Sequence, residues 1–145
     1  MNINEGVQID EPGIFVPWEI SAENLVALFK GKHLKPVTEG YYVIKCTLFK
    51  GLNCMIGFHF EPGLNGHISE FEFFRTNYDD QPSSFNEFQK YFVQEFGEPS
   101  NTTMGNEGFD NYEWILDNIK ITHLVYDRFG PEEHMRIKNM VQSHR

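Results

Sequence analysis

SFNEFQKYFVQEFGEP, residues 84–99, decides how the chain is built. Phe85, Phe88, Phe92 and Phe96 recur at spacings of three, four and four, which places four rings on one face of an α-helix. Ser84 and Glu87 match a capping box, the hydroxyl taking the amide of Glu87 while that carboxylate reaches back. Gly97 supplies the stop and Pro99 blocks continuation. Such a stripe is core rather than a ligand box.

Outward from that helix, YEWILDNIKITHLVYD (residues 112–127) reads as a hairpin. Asp117-Asn118 suits a type I′ turn, so Trp114 is expected beside Ile121 and Tyr112 beside His123. Phe129-Gly130-Pro131 turns the chain into a last strand, His134 to Lys138, and the tail from Met140 is expected to fray. Residues 76–83 and 100–109 read as loops, the latter flexible around Gly105 and Gly108.

The first half repeats this plan in outline. Residues 1–13 form a polar lead-in, and Ile14, Val16 and Trp18 make a short strand that Pro17 confines to an edge. Ser21 caps a short helix, with Ile20 as a staple to Leu25. Leu25, Leu28 and Phe29 give its buried face, Val26 widens it and Gly31 ends it.

Residues 41–75 read as three strands. Ile44, Cys46 and Leu48 alternate with Lys45 and Thr47, and Cys54, Ile56, Phe58 and Phe60 alternate with Met55, Gly57 and His59. For the two stripes to share a face, the loop Phe49-Lys50-Gly51, with Gly51 left-handed, sets Cys46 opposite Cys54; a shift of one residue on each strand is the competitor. After the turn-rich residues 61–66, Phe71 and Phe73 face inward and Glu70 and Glu72 outward, with a bulge or the strand end at Phe74. The fold class expected is therefore α+β, two helices on antiparallel sheet in loosely repeated α-β-β(-β) units: one domain over residues 1–145, with half-units about 14–75 and 84–138.

Charge narrows the function. The chain carries −9, and residues 61–117 alone hold twelve carboxylates against Arg75 and Lys90, a local −10. That field repels phosphate backbones and attracts a basic protein, although a plain solubility charge accounts for it as well. Cys46 and Cys54 sit in apolar strand sequence as small hydrophobes, with no basic neighbour to lower a thiol pKa. No apolar run is long enough to span a bilayer, and the acidic first ten residues do not form a signal peptide, so the expected location is the cytoplasm.

Candidate chemistry is sparse. His59 and His67 flank the Pro-Gly loop within reach of Glu61 or Glu70, but they lack metal-ligand spacing. Glu70 and Glu72 share a strand face about 7 Å apart, a spacing that would suit an acid/base pair but equally two solvated side chains. Asp127-Arg128 with Glu132-Glu133-His134 forms an ion-pair cluster or a partner contact, and His123 is expected hydrogen-bonded and half-buried. No phosphate-cradling loop, nucleophile elbow or basic stripe occurs, so no catalytic residue, cofactor or metal is assigned.

The helix, the Phe96-Gly97-Glu98-Pro99 stop and the aromatic hairpin, Phe85 to Val125, resemble the repeat unit of β-lactamase-inhibitor-protein-like domains. That resemblance implies tandem helix-plus-sheet units presenting sheet surface to a partner protein. In type, the small acidic aromatic-rich chain is also similar to bacterial immunity proteins. The expected function is non-catalytic protein binding, with Glu70, Glu72, Asp79 and Asp80 as partner-binding residues and a basic protein as partner. The alternative is a small-molecule-binding or enzymatic α+β domain with a pocket between helix and sheet. Oligomeric state stays open.

Overall fold

The computed structural model describes residues 2–61, 66–77, 79–127 and 131–140, with the side chains of residues 127 and 131 left aside. Strands β1 (Gly6–Ile9) and β2 (Ile14–Pro17) pair antiparallel and lead into helix α1 (Ala22–Leu28). Four strands follow: β3 (Lys35–Thr38), β4 (Tyr41–Leu48), β5 (Leu52–Phe60) and β6 (Ile68–Phe74). Helix α2 (Gln81–Phe96) precedes four more: β7 (Asn101–Met104), β8 (Asp110–Leu116), β9 (Ile119–Asp127) and β10 (Pro131–Asn139). Those eight make one antiparallel sheet in the order β3-β4-β5-β6-β10-β9-β8-β7, so the two runs of four meet where β6 pairs β10. The class is α+β, two helices with mostly strands. Among the described residues, no helix is long and apolar enough to cross a membrane.

Both hairpin registers follow from the alternation of apolar residues. Cys46 pairs with Cys54, and Trp114 and Tyr112 pair with Ile121 and His123. The turns differ in detail from the expectation. In the first, Phe49 (φ +52°) and Lys50 (φ +63°) take the left-handed conformation, and the amide of Gly51 closes the turn on the Leu48 carbonyl at 3.2 Å. Two central residues with positive φ match the twist of a hairpin, which is why the strain is tolerated there. The Phe49 ring is also buried against Phe92, Phe96 and Phe73, with centroids 4.9, 5.5 and 6.1 Å away. In the second, Asp117 has φ +57° while Asn118 is not among the positive-φ residues, so the turn has the first-position geometry of type II′ rather than type I′.

The start of α2 corrects the capping box. The helix opens earlier, at Gln81, and the N-cap is Asp80, whose carboxylate accepts from the Ser83 amide at 3.2 Å and the Ser83 hydroxyl at 2.9 Å. Pro82 fits the first turn, where its fixed φ is helical and no intrahelical donor is needed. Ser84 is instead buried inside the helix, and Glu87 pairs with Arg75. For α1, Ser21 does cap, accepting from the Asn24 amide at 3.1 Å. Leu25 and Phe29 are buried, but Leu28 and Val26 are exposed, because a seven-residue helix offers only a narrow covered stripe.

Three strands escaped the sequence. Residues 1–13 are not a polar lead-in: Ile3, Val7 and Ile9 are buried, and Trp18 donates its indole N–H to the Ile3 carbonyl at 2.8 Å. Strand β1 is four residues long, too short for the alternation of Val7 and Ile9 around Gln8 to stand out. Strands β3 and β7 are the two sheet edges and are exposed throughout, so they need no apolar stripe. Residues 62–65 of the Pro-Gly loop, residues 128–130 and the tail 141–145 lie outside the described residues.

Candidate functional site: the open face of the sheet

Alternation divides the sheet into two unlike faces. Cys46, Ile56, Phe71, Phe73, Ile137, Ile121 and Trp114 point to the buried side, where the rings of α2 lie. Phe92 sits 5.5 Å from Phe73 and 6.3 Å from Trp114, and from the N-terminal half Trp18 sits 4.6 Å from Phe71. Between these positions stand the residues of the outer face, half-exposed or exposed apart from the buried Val43 and Gly57. One row across six neighbouring strands reads Val43, Gly57, Glu72, Arg136, Thr122, Glu113. The next reads Tyr41, His59, Glu70, Lys138, Lys120, Ile115.

Glu72 is the hub of this outer face. Tyr41 donates its hydroxyl to Oε1 at 3.0 Å, His59 Nε2 lies 3.0 Å from the same oxygen, and Arg136 donates to Oε2 at 3.2 Å. A second Arg136 nitrogen reaches Glu70 at 2.5 Å. Burial works to raise the Glu72 pKa, but the His59 hydrogen bond, the Arg136 charge and the Tyr41 hydroxyl outweigh it and hold the group below the ordinary carboxylate value. Burial first, then the Glu72 charge and hydrogen bond, push the Tyr41 phenol upward, so it stays a donor. Gly57 makes the arrangement possible. A Cβ there would meet Tyr41 Cε1 at 2.7 Å, so only glycine lets the ring lie across the strand and stack on His59 at 4.2 Å.

The four residues read as partner-binding thus fall in two places. Glu70 and Glu72 do face outward, but they are part-buried and already paired with Arg136 and His59. Asp79 and Asp80 are exposed at the start of α2, where Asp80 serves as the cap. Among the described residues, no hydrogen bond or ion pair joins the two places. His59 and His67 do not share a site either: His67 lies 3.6 Å from Glu19. The described residues contain no cluster of three or more metal-ligating side chains.

A second polar cluster lies on the buried face. His123 has no exposed side-chain surface, rather than being half-buried, and its Nε2 lies 2.5 Å from Glu133 Oε2 while Nδ1 lies 2.8 Å from Gln89 Oε1. The other Glu133 oxygen accepts from Ser84 at 3.0 Å and Gln81 at 3.1 Å, and Arg75 donates to the Ser84 hydroxyl at 2.9 Å. Phe85 stacks on the imidazole at 4.0 Å. Burial lowers the His123 pKa against the opposing pull of Glu133. The histidine is closed to solvent and joined to Glu133, not Ser84, so the cluster ties α2 to β9 and β10 and is no hydrolase triad. Of its members, alternation points to His123, and Glu133 belongs to the Glu132-Glu133-His134 cluster expected to form ion pairs or a partner contact. Its pairing with His123 is not readable from the sequence, which does not fix the register of β10.

No protein-family model matches the chain, and no curated protein matches it. Among solved structures, the chain is similar to a DUF4309 family protein, YjgB, from Bacillus subtilis, at 11% identity and a TM-score of 0.47, covering 82% of this chain and 78% of that one.

Proposed function

We propose that this chain is a non-catalytic binding domain that engages another protein through the outer face of its sheet, as an inhibitor- or immunity-type protein of the cytoplasm would. The observation that carries the reading is that face: an eight-stranded surface set with half-exposed Tyr41, His59, Met55, Phe74, Arg136 and exposed Ile115. Aromatic, Met and Arg side chains are those enriched at protein interfaces. The element order, helix then four strands twice over, supports a doubled plan in which two helix-plus-sheet units join their sheets into one surface.

The partner is basic. A net charge of −9 steers such a protein at long range, although Glu70 and Glu72 contribute less than their number implies because Arg136 sits between them. The attraction therefore comes from the whole acidic surface and acts mainly on association rate, weakening with salt.

Affinity capture from the cell that makes the protein, read by mass spectrometry, tests this. A basic protein retained near one-to-one, with association slowed by added salt, is the expected outcome. A metabolite carried through purification with no protein partner would favour the small-molecule alternative.

A further inference from the structure

A groove of about 880 Å³ lies on the outer face at the β3 end of the sheet, within the size range of small-molecule sites. Register builds it. Lys45, Met55 and Phe74 are neighbours across β4, β5 and β6, and Lys35 pairs with Val43 in the adjoining row. Val43, Met55 and Phe74 make an apolar floor, and Tyr41, laid across Gly57, closes the side toward Glu72. The turn between α1 and β3 adds Lys32 and His33 to the opposite rim.

The charge of this lining is opposite in sign to the net charge of the chain. Lys32, Lys35 and Lys45 line it against one carboxylate, Glu11. Among the described residues none of these lysines has a carboxylate within 4.0 Å, whereas Arg75, Lys120 and Arg136 each do. Lys35 and Lys45 are diagonal neighbours on adjacent strands, about 7–8 Å apart at the backbone, close enough for both ammonium groups to reach one anion. A chain of −9 thus holds a cationic rim over an apolar floor.

We propose that this groove binds a small amphipathic anion: an unbranched apolar body over Val43, Met55 and Phe74, with its carboxylate held between Lys35 and Lys45. The site is distinct from a pocket between helix and sheet, since it opens on the opposite face, and it stands whether or not a protein partner exists.

Isothermal titration of the whole chain with dodecanoate below its micellar concentration tests the proposal, with dodecyltrimethylammonium as the cation of matched length. Dodecanoate is expected to bind one-to-one, about tenfold or more tightly than the cation, and to lose about tenfold or more in affinity in Lys35→Glu/Lys45→Glu. Both lysines are exposed, and a thermal melt checks that the variant folds; the comparison of the two amphiphiles needs no variant. Equal affinity for both amphiphiles, no dodecanoate binding at about 1 mM, or an unchanged affinity in the charge-reversed chain would each overturn it. Association with phosphatidylglycerol vesicles without binding of free dodecanoate would also contradict it.

Discussion

Two histidine–glutamate pairs, one on each face of the same sheet, show how burial changes the meaning of identical chemistry. His59 and Glu72 lie on neighbouring strands of the first run, with 31% and 21% of their side chains exposed. His123 and Glu133 lie on neighbouring strands of the second run, with none of either side chain exposed. The outer pair keeps water in reach and shares Glu72 with Tyr41 and Arg136. The inner pair is bonded to Gln89, Gln81 and Ser84 and enclosed by the rings of Phe85, Phe88 and Tyr112. Removing one member of a solvated pair leaves a group that water can satisfy. Removing one member of a sealed pair leaves a stranded polar group, so the inner pair binds α2 to the sheet far more strictly than its counterpart binds anything.

The sharpest break of that contrast is on the buried side. His123→Ala is expected to cost about 3–5 kcal/mol, because Glu133 is left buried without its partner. Phe92→Ala is expected to cost about 3–5 kcal/mol by emptying a site between Phe49, Phe73 and Trp114. Denaturant melts measure both, and a loss below about 1 kcal/mol at either position would mean the inner face is not packed as described.

The same histidine sets a pH dependence. Its folded pKa lies below the ordinary value of 6.5, so between the two values the unfolded chain binds more protons than the folded one. Stability therefore falls as pH drops below 6.5 toward the folded value, and His134, lowered by burial and Arg136, adds the same sign. Below 4.5, loss of the Glu72 charge destabilises further. Melts from neutral pH downward should show a gentler decline near 6 in His123→Gln than in the parent, and equal slopes would remove His123 from the explanation.

Smaller effects locate the helix start. Asp80→Ala is expected to cost about 1 kcal/mol as a lost cap. Ser84→Ala is expected to cost about 1–2 kcal/mol, through its hydrogen bonds to Glu133 and Arg75 rather than through capping. The distinction is checked by Ser84→Asp: it would stabilise a helix N-terminus but should destabilise here, beside the buried Glu133. The smallest change is expected on the open face, where His59→Ala should cost under about 1 kcal/mol.

What the sequence made legible tracks the strength of local patterning. The Phe85–Phe96 stripe, the even-numbered apolar run through Cys46 and Cys54, and Trp114 opposite Ile121 were readable because each buries one continuous face. Strands β1, β3 and β7 were not, being four residues each and held by neighbours rather than by alternation. The α2 cap was misplaced because Ser84-x-x-Glu87 and Asp80-Gln81-Pro82 are both good start signals, and only the demand of Glu133 for a buried donor separates them. The outward direction of Glu70 and Glu72 followed from Phe71 and Phe73. Their pairing did not, since Arg136 arrives from 64 to 66 residues away across a register that no turn announces. That pairing also changes how the open face should be probed. Reversing Glu70 and Glu72 would set new cations against Arg136, and Glu113 is paired with Lys120 in the same way, so Ile115→Asp, at an exposed side chain farther along the same face, is the cleaner variant.

Binding of the captured partner to three folded chains decides between the faces most directly: the parent, Ile115→Asp on the open face, and Ser84→Ala on the buried one. Surface plasmon resonance is expected to show parent and Ser84→Ala binding alike, with the open-face variant weaker by about tenfold or more as an apolar contact is lost. An open-face variant that binds as the parent does, or a Ser84→Ala chain that alone loses the partner, would contradict the assignment of function to the outer surface.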